Sequence, residues 1–348
     1  MLGFWSPRSL CSRPGNIALI TLFIAWGSGC RDESTTGAAG SSTGTGATGG
    51  NGAGGIGGSG GQLPTFDCSE APNEPLDARV MEGPRGYHGL AIDASGQIFG
   101  TNVDLTLIRS SYDGDWAPFV PNVTADQIAF AENGHLILAA AEGLTGITPE
   151  AQRYTINAEL YGYGLRIGPD GRGYLAEPRA IRRINLVTGL AETVVTVPDI
   201  DMGTFAHAFD FSPELDALYI GMTGETETNV RVVRLDESLD ALGPLEPFAN
   251  IAPGKVWIDG VATDACGNLY VANFATSQLF RVRPDGSSEV YVDWSADPTQ
   301  YGHGVIFGNG VAGFREDALY LPMPYNNHSV QEIVVGIPSR SWKGNVLP

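Results

Sequence analysis

A unit of about forty residues recurs along the chain, and this repeat limits the fold more than any other feature. "HGLAIDASGQIFGTNVDLTLIRS" begins at His88, "DQIAFAENGHLILAAAEGLTGITP" at Asp126 and "YGLRIGPDGRGYLAEPRAIRRINLVTG" at Tyr163. "HAFDFSPELDALYIGMTGETETNVRVVRLD" begins at His207, "DGVATDACGNLYVANFATSQLFRVRPDG" at Asp259 and "HGVIFGNGVAGFREDALYLPMPYNNHSVQEIVVG" at His303. Each copy opens on a short apolar strand and turns through Gly, Asp, Asn or Pro. A strand such as "LYVAN" or "LYIGM" follows, then a polar loop and a third strand with β-branched residues. These are hairpin signals at regular spacing, and no long amphipathic helix interrupts them. The starts are 38, 37, 44, 52 and 44 residues apart, and 45 residues follow His303, room for a full last unit. Outer segments such as "AETVVTV" and "EVYVDW" bring each unit to about four strands. The expected fold is all-β, a six-bladed β-propeller with about four antiparallel strands per blade. Radial closure leaves few open strand edges, so an all-β chain of this length stays soluble.

The repeats fill only the later part of the chain. Arg8 and Arg13 precede the apolar run "IALITLFIAW", which is followed by "GSGC" ending at Cys30. A basic head, a short apolar core and small residues form an export signal over residues 1–29. The run is too short for a comfortable membrane span. Cys30 after Gly27-Ser28-Gly29 resembles a bacterial lipobox, which implies cleavage before Cys30 and lipid on its sulfur. Arg31 rather than Asp follows Cys30, which by the usual sorting pattern favours the outer over the inner membrane. Residues 30–62 are then a tether of Gly, Ser, Thr and Ala with no apolar surface to bury. Its r.m.s. span is about 30 Å. Residues 63–348 form the propeller.

Leader and tether contain three Arg, one Asp and one Glu, so residues 63–348 keep 17 basic against 37 acidic residues. That balance excludes nucleic acid and anionic lipid as partners bound through charge, and leaves the lipid anchor as the membrane contact. The expected partner is a small molecule or a cell-envelope ligand, and the propeller is expected to be a monomer. Cys68 and Cys266 are the two Cys left in the exported domain. The compartment permits a disulfide between them, and two unpaired thiols is the other reading.

In a propeller the innermost strand of each blade lines the central channel. The residues that open those strands, His88, Asp126, Tyr163, His207, Asp259 and His303, circle one mouth. Five of them are metal-ligand types, and three of the chain's five His are among them. His328 lies in a loop expected on the same face, whereas His135 is expected at the opposite end. A set of His88, His207, His303, Asp259 and Asp126 suits one divalent ion, Zn²⁺ or another transition metal before Ca²⁺. Such an ion would lower the pKa of a bound water and polarise a carbonyl. Asp259 would act as general base, and Tyr163 would orient substrate or stabilise an oxyanion. Asn102, Glu142, Glu177, Glu225, Asn273 and Tyr325 lie in loops expected at the same mouth. A wet channel lined by polar side chains accounts for the same residues without a metal.

The fifth unit resembles an NHL repeat and the unit of the senescence marker protein / gluconolactonase / luciferin-regenerating family. That resemblance implies a six-bladed propeller and a lactone or ester hydrolase with one divalent metal in the channel. In that family a Glu of the first blade, Asn residues of middle blades and an Asp of a later "DG" hold the metal. Asp259 in "IDGVATD" matches the Asp, whereas His88 stands at the Glu position and His207 at an Asn position. The three-His set is similar to the zinc site of peptidylglycine amidating lyases, which gives a zinc-dependent lyase as a further reading. A non-catalytic NHL-type binding propeller for an envelope ligand or protein partner is the alternative from another class.

Overall fold

The chain divides into two units, Met1–Gly61 and Gln62–Pro348. The computed structural model describes residues 66–83, 89–140, 142–198, 204–224, 228–252, 254, 256–297, 301–324 and 328–339. The leader, Cys30 and the tether lie outside the described residues, as do His88, Glu225 and Tyr325.

Alternating apolar and polar runs pair into six four-stranded antiparallel sheets. The fold is a six-bladed β-propeller with almost no helix. The inner strands are Leu90–Ile92, Gln127–Phe130, Gly164–Ile167, Phe205–Phe211, Ile258–Thr263 and Ile306–Phe307. Inner and second strands are the most apolar: Leu136–Ala140, Ala217–Thr223 and Ala318–Met323 are buried at every position. The buried residues form six hydrophobic clusters, each at a junction between neighbouring blades. The core is thus a ring of inter-blade layers, and a blade has no core of its own.

The repeated turn has a physical cause. Asp93 Oδ1 accepts from the backbone N–H of Ser95 and Gln97, and Asp264 Oδ1 accepts from those of Cys266 and Asn268. These Asx turns reverse the chain between first and second strands, with a glycine such as Gly267 at φ 78° completing the reversal. The glycine after Asp259 answers a different need. A Cβ on Gly260 would lie 2.5 Å from the backbone of Gly304, so neighbouring inner strands converge too closely for a side chain.

One expectation is corrected. The residues after His303 do not complete a blade alone. Their sheet takes its outer strand from the N-terminal segment Asp77–Glu82, which pairs antiparallel with Ser329–Val334. Pairing first and last segments closes the ring and removes two open edges at once.

The lead into that strand is clamped. A disulfide joins Cys68 to Cys266, across 198 residues of sequence. Arg281, 1% exposed, donates to the carbonyls of Pro72 and Asn73 and to Glu289, with its guanidinium over the Tyr291 ring.

Candidate functional site at the channel mouth

Two local irregularities aim the central side chains. The first strand of blade four slips register between Ala206 and Ala208, and that of blade five between Ile258 and Gly260. His207 and Asp259 are therefore the extra residues of β-bulges, which turn a side chain away from the regular alternation. The two side chains meet, with His207 Nε2 3.4 Å from Asp259 Oδ1. His303 reaches the other oxygen, its Nδ1 2.7 Å from Asp259 Oδ2. All three residues are buried, Asp259 at 1% exposure. Burial pushes the His303 imidazole down to about 3, which favours a neutral ring.

Other mouth residues surround this trio. The Tyr163 ring stacks on the His207 ring, with centroids 4.8 Å apart and planes within 11°. Burial, and then the Asp259 charge, push Asp126 up to about 6. Asn273 is 1% exposed, and its Oδ1 accepts from the backbone N–H of Trp257 and Ala275. Its Nδ2 is a buried donor with no acceptor among the described residues. An unmet buried donor costs about 1–3 kcal/mol, so this amide is a candidate for meeting a substrate oxygen.

The other described sequence candidates have hydrogen-bond or ion-pair partners nearby. Asn102 closes an Asx turn through the N–H groups of Asp104 and Thr106. Glu142 is held by the Thr124 hydroxyl and Arg153. Glu177 pairs with Arg182 at 2.8 Å. His328 bonds the Pro324 carbonyl through Nδ1 at 3.0 Å. His135 bonds the Tyr154 hydroxyl in blade two.

The proposed metal set is tested by the same distances. Ligands sharing one Zn²⁺ each lie about 2.0–2.2 Å from the ion and stand apart from one another around it. His303 Nδ1 and Asp259 Oδ2 lie 2.7 Å apart, at ion-pair distance. Among the described residues no group of three or more His, Cys, Asp or Glu is arranged to hold a metal. Among the described residues His207, His303, Asp259 and Asp126 are not gathered into such a group, and His88 lies outside the described residues.

Below the mouth a group that sequence reading missed links the inner strands. Arg166 extends from the first strand of blade three and donates to the carbonyls of Val261 and Val305, at 2.7 and 3.2 Å. Its Nε lies 3.8 Å from Asp210 of blade four. Asp210 also accepts from the backbone N–H of Thr263 and Phe211, and burial pushes its pKa up. One guanidinium thereby joins four blades across the axis. The available signal was a lone Arg inside an apolar first strand, "GLRI".

A six-bladed propeller with a buried His–Asp–His contact at one channel mouth is the class that fold and site define. Residues 169–301 match the family model described as SMP-30/Gluconolactonase/LRE-like region. That segment contains His207 and Asp259 and ends two residues before His303. Solved structures share the fold. A gluconolactonase from Xanthomonas campestris is 14% identical with TM-score 0.60, over 76% of this chain and 91% of that one. A calcium-binding protein, regucalcin, from Agrobacterium tumefaciens is 17% identical with TM-score 0.60, over 76% and 97%. An auxiliary nutrient binding protein from Bacteroides thetaiotaomicron is 11% identical with TM-score 0.58, over 72% and 69%. No curated protein sequence matches the chain.

Proposed function

We propose that this chain is an exported, lipid-anchored hydrolase of small lactones or esters, working as a monomer at the propeller mouth. The observation that carries the reading is the buried contact of His207, Asp259 and His303, aimed by two bulges. In the proposed reaction Asp259 removes a proton from water as its oxygen adds to the substrate carbonyl. His303 and His207, in contact with its two oxygens, hold the carboxylate in orientation. The Asn273 amide and the Tyr163 hydroxyl are the candidate donors to the developing oxyanion. Collapse breaks the acyl carbon–oxygen bond, and the proton held on Asp259 passes to the leaving alkoxide. The product of a lactone is the open hydroxy acid. The likeness to a gluconolactonase supports this class. The leader before Cys30 supports export and anchoring.

Asp259→Asn keeps size and burial but removes the base. The kcat/KM for lactone opening, followed by proton release with an indicator dye, should fall by about a hundredfold or more. A fall below about tenfold would reject Asp259 as the base. The neighbour described as a nutrient binding protein supports a second reading, a binding propeller without chemistry. That reading requires ligand binding at the mouth with no turnover of any lactone or ester.

A further inference from the structure

The mouth carries a pattern that the hydrolase reading leaves unused. In four successive blades an aromatic residue stands two positions before the mouth residue: Tyr161, Phe205, Trp257 and Tyr301 precede Tyr163, His207, Asp259 and His303. Composition predicts far fewer, since only 9% of the chain is aromatic. Blades one and two break the pattern, with Gly86 and Thr124 at that place.

These rings gather around the trio. Phe205 lies 5.2 Å from Tyr163 and 5.8 Å from His207, centroid to centroid, and Tyr161 lies 5.3 Å from Tyr163. On the far side Phe274 bridges the set, 4.6 Å from His303, 4.7 Å from Tyr301 and 6.3 Å from Trp257. Asn273 fixes this side, because its Oδ1 holds both the Trp257 backbone and the turn that carries Phe274. Tyr161 and Trp257 remain 37% and 40% exposed, so ring surface faces solvent beside a buried polar centre.

Charge narrows the ligand further. Among the described residues Asp126 and Asp259 are the acids that open inner strands. Arg153 pairs with Glu142, Arg182 with Glu177, and Arg179 donates to the Thr204 carbonyl. These three cations already have partners within the protein, and residues 63–348 are strongly acidic. A carboxylate or phosphate on the ligand would meet repulsion.

We infer that the mouth takes uncharged substrates with a flat aryl ring beside the scissile ester, seated against this one-sided aromatic collar. Polyhydroxylated and anionic lactones are disfavoured. The inference rests on the hydrolase reading for its chemistry, but the collar acts in binding alone.

The experiment uses the full chain in detergent. Turnover of dihydrocoumarin, an aryl lactone, is compared with that of glucono-δ-lactone. Binding of dihydroquinolinone, the hydrolysis-resistant lactam of the same shape, is followed by calorimetry and tryptophan fluorescence. Dihydrocoumarin should be preferred by about tenfold or more in kcat/KM. Trp257→Ala and Tyr161→Ala should each weaken the lactam about fivefold, and Trp257→Phe should recover most of it. Both sites are exposed enough for the variants to fold, which circular dichroism checks. Lactam binding through the collar without dihydrocoumarin turnover upholds the collar and sinks the hydrolase reading. Glucono-δ-lactone as the better substrate, or lactam affinity untouched in both Ala variants, overturns the collar and leaves the hydrolase standing.

Discussion

Replacing both Cys68 and Cys266 by Ser tests how the ring is held closed. The disulfide spans 198 residues. In the chain-entropy model a loop of that size removes about 5 kcal/mol of freedom from the unfolded chain. Native contacts survive its loss, because Arg281 still holds the Pro72 and Asn73 carbonyls and Asp77–Glu82 still pairs with Ser329–Val334. The change therefore falls on the unfolded state, and a loss of about 3–5 kcal/mol is expected. The folded unit Gln62–Pro348 has an unfolding entropy of about 0.6 kcal/mol/K near 60 °C. The Tm should drop by about 5–9 °C. Thermal unfolding by circular dichroism measures the shift, and peptide mapping without reductant checks the bond in the parent. A drop under about 2 °C, with the bond present in the parent, would refute the entropic account.

Two further outcomes follow. Arg166→Met leaves the Val261 and Val305 carbonyls without their donor and Asp210 without its cation. Denaturant unfolding should register a loss of about 2–4 kcal/mol, partly restored in the Arg166→Met/Asp210→Asn pair, and strict additivity would dismiss the axial tie. Cys30→Ala should move the protein from the membrane fraction to the soluble fraction on cell fractionation, and retention in the membrane would mean that lipid on Cys30 is not the anchor.

Much of the architecture was legible because propeller blades are local. Strand, Asx turn and strand are written within about forty residues, so "DASGQ" and "DACGN" announce their own hairpins. The X-Gly pairs at Tyr163 and Asp259 are legible for the same reason, since Gly164 and Gly260 answer the crowding of inner strands. Equivalent repeat positions also assign Tyr163, His207, Asp259 and His303 to one mouth.

Three things only the tertiary structure decided. Ring closure pairs Asp77–Glu82 with Ser329–Val334, and nothing local in either segment names the other. The bulges at His207 and Asp259 bring His207, Asp259 and His303 into contact, because a one-residue slip in register changes where a side chain points. The Arg166 tie and the aromatic collar need distances across blades. The sequence by itself determined which residues stand at the mouth, because position within a repeat is local. Which of them touch, and what they leave room for, depends on how six twisted sheets pack around one axis.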